Sequence, residues 1–182
     1  MTSPQTSVPS EMIYAVPGQV ADLLTADNGA IESHENGEAS DEIPYGNFVG
    51  RGATAADGTS KAIRFAEDGV LLGLAVFSQK LAYPTQVGDV GVKPGVVLGV
   101  ARTGVYYVMP EDDVTPASQV HIRHTAAGDA LGGSVRGTAS ASNTIDASDF
   151  CRWRSSGGPT SGQCAELEIM LPAGSSLATE DS

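Results

Sequence analysis

The chain has 182 residues, which is enough to bury one hydrophobic core and too few to indicate two independent domains. A hydrophobic fraction of 41% lies within the globular range, while 22 glycines and 5% aromatic residues favour short strands and many turns. The net charge of −12 would repel the phosphates of nucleic acid and the anionic face of a membrane. These values predict one small acidic domain that binds neither nucleic acid nor membrane.

The negative charge is concentrated near the N-terminus, where the first 50 residues contain eight carboxylates and no lysine or arginine. Such an excess can serve solubility alone, or it can favour docking onto a basic protein surface. The carboxylates are Glu11, Asp22, Asp27, Glu32, Glu35, Glu38, Asp41 and Glu42.

The two ends of the chain differ in composition from its middle. Residues 1–11 are rich in Ser, Thr and Pro without apolar periodicity, which predicts a flexible N-terminal arm. Residues 12–171 are expected to form a single β domain with an acidic, turn-rich segment at 25–42, followed by an acidic C-terminal tail at 172–182. No apolar run approaches the roughly 18 residues that span a bilayer. The start of the chain also lacks the features of a signal peptide, so we expect a soluble, unprocessed protein.

Short apolar runs open the predicted domain. The run at 12–16 ends at a Pro-Gly pair, and the run at 20–24 fits either a helical turn or a brief strand. Residues 45–51 and 62–66 predict two strands. The most apolar run, at 70–77, predicts a strand buried on both faces.

The middle of the chain contains a predicted hairpin. Residues 96–101 and 105–109 flank a short loop that contains Gly104, so we expect them to pair as antiparallel neighbours. Residues 120–125 alternate apolar and polar side chains, which predicts a half-exposed strand.

The last third repeats this pattern. Residues 126–143 are rich in Gly, Ala and Ser and favour a loop, whereas 150–154 and 165–171 flank a turn-rich stretch and predict a second hairpin. No segment supports a helix of three turns. About eight to ten short strands separated by turns indicate an all-β fold, a β-sandwich or jelly-roll-like barrel with an extended N-terminal arm.

Motifs for catalysis, cofactor binding and metal binding are absent from the sequence. It contains no nucleophile elbow, phosphate-binding loop, dinucleotide fingerprint or zinc-protease motif. His121 and His124 fall on a strand pattern whose period sends them to opposite faces, which disfavours a shared metal. Glu166 and Glu168 share one face of a strand, as solvated carboxylates do. A calcium site at 111–113 would need further ligands. We therefore expect no enzyme activity, no cofactor and no metal, with an enzyme whose site is assembled without a motif as a remote alternative.

Two cysteines, Cys151 and Cys164, are too few for a disulfide framework, and their spacing fits no zinc pattern. We predict that they are reduced and buried. A disulfide that closes a hairpin is the alternative, and it requires an oxidising compartment.

The most basic stretch of the chain surrounds its only tryptophan. Arg152, Trp153 and Arg154 are of the residue types that anchor protein interfaces. Strand alternation places Trp153 on the face of Cys151 and the two arginines on the other face. A core strand with a basic outer face is therefore the alternative to an interface.

Four stretches, in this order, resemble segments of a known family. Residues 14–22 (YAVPGQVAD) resemble its P-G-x-x-A-D opening, and residues 42–52 (EIPYGNFVGRG) its I-P-F-G-x-x-V-x-R-G segment. Residues 72–78 (LGLAVFS) resemble a central x-G-I-x-V-x-S strand, and residues 92–108 (VKPGVVLGVARTGVYYV) an x-P-G-x-x-x-x-V-x-R-x-G-x-x-x-V hairpin. The family is that of bacteriophage structural cement proteins.

The resemblance implies a non-enzymatic virion protein with a β-sandwich or jelly-roll fold. It implies binding to the major capsid protein on the outer capsid surface, where the protein stabilises capsomer junctions, association with other copies of itself, and synthesis in the cytoplasm of a bacterial host. A tail-associated or carbohydrate-binding β-sandwich module is the alternative. The residues predicted to contribute to a protein interface are Tyr14, Pro17, Gly18, Asp22, Arg51, Arg152, Trp153 and Arg154.

Overall fold

The computed structural model describes residues 15–21, 31–54, 58, 60–77 and 91–172. The predicted arm at 1–11 lies outside this part of the chain, and so does the predicted tail except for residue 172. Residues 12–14 of the first apolar run and residues 22–24 of the second also lie outside it. The described residues form an all-β structure, as the sequence predicts. Its helical content there is one turn of 3-10 helix at Ala141–Asn143, and no helix in this part is long and apolar enough to cross a membrane.

The first half of the chain forms a closed five-stranded barrel, in the order β1-β4-β3-β5-β7. All its pairings are antiparallel except β1 with β4. Strands β2 and β6 pair beside it as a two-stranded sheet. The strands are β1 Ile31–Asn36, β2 Ile43–Pro44, β3 Phe48–Arg51, β4 Lys61–Arg64, β5 Leu71–Val76, β6 Gly91–Val92 and β7 Val97–Ala101.

The second half forms two three-stranded antiparallel sheets, in the orders β12-β13-β8 and β10-β9-β11. The strands are β8 Thr103–Val108, β9 His121–Arg123, β10 Val135–Arg136, β11 Thr144–Asp146, β12 Cys151–Trp153 and β13 Ala165–Met170.

Two clusters of buried residues stabilise this arrangement. The smaller one lies within the barrel and includes Val49, Leu98 and Val100. In the larger one, Leu74 of the barrel packs with side chains of the two sheets such as Ile122. The barrel and the sheets therefore share one core and belong to one folded unit.

The segment at 15–21 joins the barrel to the β12-β13-β8 sheet. Val20 forms an antiparallel bridge with Tyr106 of β8. The Gly18 amide donates to the Tyr107 carbonyl at 2.7 Å, and the Gly18 carbonyl accepts from the Phe77 amide at 2.9 Å. One short segment thus satisfies backbone groups of both parts.

The hairpin predicted from 96–101 and 105–109 is wrong. Strand β7 pairs with β1 and β5, whereas β8 pairs with β13. A single residue, Arg102, separates β7 from β8, and the chain leaves the barrel there. Gly104 has a φ of +122°, which a glycine adopts without strain. The short glycine-containing loop is therefore a corner between two sheets.

The prediction of a half-exposed strand at 120–125 is also wrong, because both faces of β9 are buried. Strand β9 is the middle strand of its sheet, and its polar side chains have partners. His121 Nε2 lies 3.3 Å from Gln119 Oε1, and Arg123 binds the carboxylate of Glu111. Alternation identified the two faces of the strand but not what covers the polar one.

Other expectations are confirmed. Strand β5 is buried along its whole length, and β12 and β13 form the predicted antiparallel hairpin. The acidic segment at 25–42, however, contains β1, and the glycine-rich segment at 126–143 contains β10.

Candidate interaction surface

The Pro-Gly pair predicted as part of an interface forms an internal turn. The Gln19 amide donates to the Val16 carbonyl at 3.0 Å, which places Pro17 and Gly18 at the two central positions. Gly18 has a φ of +79°, and a Cβ added there would lie 2.8 Å from the carbonyl oxygen of Ala75. The glycine is therefore required by the fold. The other two candidates near it, Tyr14 and Asp22, lie outside the described residues.

Trp153 is a core residue and is 2% exposed. Its indole Nε1 donates to the Gln119 carbonyl at 2.9 Å, which satisfies its polar atom inside the protein. Cys151 is buried on the same face of β12, whereas Arg152 and Arg154 are exposed. The structure thus supports the alternative of a core strand with a basic outer face, and any contact surface here is made by the arginines.

The two arginines lie on the outward side of the β12-β13-β8 sheet. The register places Arg152 opposite Glu168, and the two side chains form an ion pair of 2.5 Å. One step further along the hairpin, the Arg154 amide donates to the Glu166 carbonyl at 2.8 Å. We call this surface the hairpin face. Its exposed residues are Arg152, Arg154 and Met170, its half-buried residues are Thr103, Tyr107, Glu166 and Glu168, and the register also places the buried Val105 on it.

The charges on the hairpin face are only partly neutralised. The Tyr107 hydroxyl donates to Glu166 Oε1 at 3.4 Å, and partial burial together with the Glu166 carboxylate raises the pKa of Tyr107. Among the described residues, no side chain pairs with the guanidinium of Arg154, and no cation pairs with Glu166. One cation and one anion therefore lie on the same surface without binding each other.

Arg51, the remaining predicted interface residue, is exposed at the end of β3. The described part of the chain gives it no ion-pair partner. Because it belongs to the barrel, the fold does not place it on the hairpin face.

A second charged cluster was not anticipated from the sequence. Arg123 Nε and Nη2 each donate to one oxygen of Glu111 at 2.6 Å, and the Ser134 hydroxyl also donates to this carboxylate. Arg136 Nη1 lies 3.3 Å from Glu111 and Nη2 lies 3.5 Å from Asp112. Burial raises the pKa of Glu111, but the hydrogen bonds from Arg123 and Ser134 outweigh it and hold that pKa below its usual value. A carboxylate bound in this way is a structural anchor, because its oxygens already accept hydrogen bonds from Arg123 and Ser134.

A histidine, a serine and a glutamate lie in line at the junction of β1 and β4. His34 Nδ1 lies 2.9 Å from Ser60 Oγ, and His34 Nε2 lies 3.3 Å from Glu32 Oε2. These residue types occur together in nucleophilic active sites. Here the parallel pairing of β1 with β4 extends over only two residue pairs. The buried His34 side chain links β1 to the residue before β4, so these contacts strengthen the pairing of the two strands.

Asp113 and the two cysteines complete the list of candidates for chemistry among the described residues. Asp113 Oδ1 accepts a hydrogen bond from the Thr160 amide at 3.0 Å. Cys151 and Cys164 are not bonded to each other, as predicted. Cys151 is buried as expected, but Cys164 is only half-buried, so the prediction of burial is wrong for it; desolvation raises the pKa of both thiols. No group of His, Cys, Asp and Glu in the described residues could hold a metal ion.

Comparisons with known proteins concern the family and the fold. The family model described as structural cement protein (E217 gp24/Pam3 gp6) matches residues 4–170. The chain belongs to the structural cement protein family. The resemblance seen in the four sequence stretches is thereby confirmed.

A solved structure supports the same fold for this cement protein. A chain from the structure entitled "The capsid of Myoviridae Phage XM1" matches with a TM-score of 0.59 and 15% identity. The match covers 90% of the cement protein and 95% of the XM1 chain. At this identity the likeness shows the shared fold. No curated protein sequence matches the cement protein.

Proposed function

We propose that this protein binds the major capsid protein on the outer surface of a phage shell and stabilises the junctions between capsomers, without catalysing a reaction. The observation that carries the proposal is the family match over residues 4–170. The fold shared with a chain of a phage capsid structure supports it.

The physical requirements of such a role agree with the described residues. A protein that binds only the assembled shell stabilises that state through its binding free energy. The role requires contact area and a rigid body, not reactive groups. The shared core provides rigidity, and the half-buried carboxylate of Glu111 is fully engaged by its neighbours. The exposed arginines of the hairpin face, Arg152 and Arg154, remain available for contacts.

The proposal includes a role for the N-terminal arm at residues 1–11. Eleven extended residues span about 36–40 Å, which is enough to cross a seam between neighbouring subunits. Ordering a flexible segment on binding costs entropy, and many symmetric copies on one shell can offset that cost by avidity. Association between copies of the chain is therefore part of the proposal, as is synthesis in the host cytoplasm before assembly.

Cryo-electron microscopy of intact virions tests this function. We expect density for this fold on the outside of the shell, in contact with the major capsid protein at capsomer junctions. Shells stripped of the protein should break at a lower temperature and regain resistance when the purified protein is added back. Virions that carry this fold only on the tail would support the tail-associated alternative and contradict the proposal.

A further inference from the structure

The hairpin face carries two adjacent columns of opposite charge. Strand β12 and the residue after it present Arg152 and Arg154, and β13 presents Glu168 and Glu166 beside them. Each arginine lies at the same height as a glutamate, because the register pairs Arg152 with Glu168 and the Arg154 amide with the Glu166 carbonyl. The surface is thus ordered in rows as well as in columns.

The two rows differ in how their charges are used. Arg152 and Glu168 bind each other, although the Arg152 side chain remains 66% exposed. In the next row, Glu166 turns toward β8, where it accepts the hydrogen bond from Tyr107, and Arg154 forms no ion pair with a described residue. The charges of Arg152 and Glu168 therefore neutralise each other within the chain. In the other row, Arg154 has no ion-pair partner among the described residues, and Glu166 has no cation partner there.

We infer that a second copy of this chain docks on the hairpin face about a two-fold axis, with Arg154 of each copy paired to Glu166 of the other. Two-fold interfaces bring the same patch of both copies together, so the patch must be self-complementary. Adjacent columns of opposite charge satisfy this condition. The inference deepens the proposed function, since it gives a surface for the association between copies.

The rows and columns select one orientation of the axis. An axis that runs parallel to the strands, between β12 and β13, places the arginine column of one copy over the glutamate column of the other with the rows aligned. An axis that runs across the strands stacks arginine on arginine, which like-charge repulsion disfavours. Packed sheets lie about 10 Å apart, and a long arginine and a glutamate side chain that point toward each other bridge such a gap.

Uncharged contacts on the same face fit this arrangement. Met170 is 53% exposed at the end of β13, and Tyr107 lies beside Glu166 on β8. Methionine, tyrosine and arginine are enriched in protein interfaces. These side chains would surround the two new ion pairs and exclude water from them.

Charge reversal tests the inference through the self-association of the purified full-length chain, measured by sedimentation velocity over a range of concentrations. Arg154→Glu and Glu166→Arg should each weaken the dimer by about ten- to a hundredfold, because two attractive contacts become repulsive in either variant. An equimolar mixture of the two variants should regain a dimer, since every contact in the mixed pair is again between opposite charges. The chain with both substitutions should also dimerise. Arg51→Glu, which makes the same charge change on the barrel, is the matched control and should dimerise like the unsubstituted chain.

Recovery of the dimer in the mixture would show that the single variants lose the specific ion pairs, and not their fold or their favourable net charge. Circular dichroism should show that each single variant is folded. A monomeric unsubstituted chain, equal weakening by Arg51→Glu, or a mixture that stays monomeric would overturn the inference. A shell-binding assay on the same proteins reports separately on the proposed function: an intact, charge-dependent dimer that does not bind shells would contradict the capsid role and leave the docking surface established.

Discussion

Arg123 holds both carboxylate oxygens of Glu111 from the middle strand of the β10-β9-β11 sheet, with two nitrogen–oxygen distances of 2.6 Å. The Arg123 side chain is 4% exposed and that of Glu111 is 14% exposed. Solvent therefore screens this pair weakly. A buried ion pair is costly to break by removal of one partner, because the other charge is left without compensation.

Replacement of Glu111 by glutamine should destabilise the protein. We expect the free energy of unfolding to fall by about 3 kcal/mol, since the buried guanidinium of Arg123 loses its counter-charge. Urea titration followed by tryptophan fluorescence measures the change. Asp149→Asn, which neutralises an exposed carboxylate, is the control and should change stability by less than about 0.5 kcal/mol. Equal effects of the two substitutions would contradict the assignment of Glu111 as an anchor.

The same carboxylate gives the protein a pH dependence. Its pKa in the folded protein lies below the ordinary value of 4.5, so its contribution to stability is present above that value and is lost as the pH falls through the folded-state pKa. The difference in unfolding free energy between the unsubstituted chain and Glu111→Gln should therefore be constant near neutral pH and shrink below about pH 4.5. A difference that stays constant into the acidic range would show that the charge of Glu111 is not what stabilises the fold.

Gly18 provides a test of the turn that joins the barrel to the sheet. Gly18→Ala should destabilise the protein by about 2–4 kcal/mol, because the new methyl group meets the backbone of Ala75 and Phe77 at 2.8 Å in addition to the strain of a positive φ. Gly95→Ala is the matched control, since Gly95 has a φ of +74° with no atom within 4 Å of the added Cβ. It should cost about 1 kcal/mol. Thermal unfolding of both variants measures the difference, and an equal loss in both would show that the close packing at Gly18 is not important.

The elements that could be predicted are those whose signal is local. Strand β5 is an uninterrupted apolar run, and the β12-β13 hairpin is flanked by turn residues, so sequence and structure agree there. Strand β1 has a polar, acidic sequence of which only the first three residues are exposed. Its extended state depends on five register pairs with β7, more than 60 residues away. Such long-range pairing leaves no pattern within the strand itself.

The candidate surface could be predicted only where its signal is local to one strand. Alternation along one strand correctly placed Arg152 and Arg154 on the face opposite Trp153. Their position beside Glu168 and Glu166 requires the register of the hairpin, which a long loop does not specify. Glu111 lies in the loop between β8 and β9, and Arg123 lies in β9. Their contact has no sequence signature.

Trp153 distinguishes a core role from an interface role. Trp153→Phe keeps most of the buried volume and removes the hydrogen bond to the Gln119 carbonyl, and we expect it to cost about 1–2 kcal/mol of stability. Trp153→Ala should cost about 3–5 kcal/mol. Since the indole is buried, the folded Phe variant should retain both self-association and shell binding. A Phe variant of unchanged stability that fails to bind would show that Trp153 acts at an interface.

Deletion of residues 1–11 tests the proposed arm. If these residues reach across a seam and become ordered there, the truncated protein should retain its fold and its self-association, because both depend on described residues that begin at residue 15. It should bind shells more weakly, by about tenfold or more, since the contacts of the arm are lost from every copy. A chain in which residues 1–11 are replaced by a Gly/Ser sequence of equal length controls for length alone and should bind as weakly as the deletion. Truncated protein that decorates and stabilises shells as well as the full chain would remove the arm from the mechanism and leave binding to the folded surface.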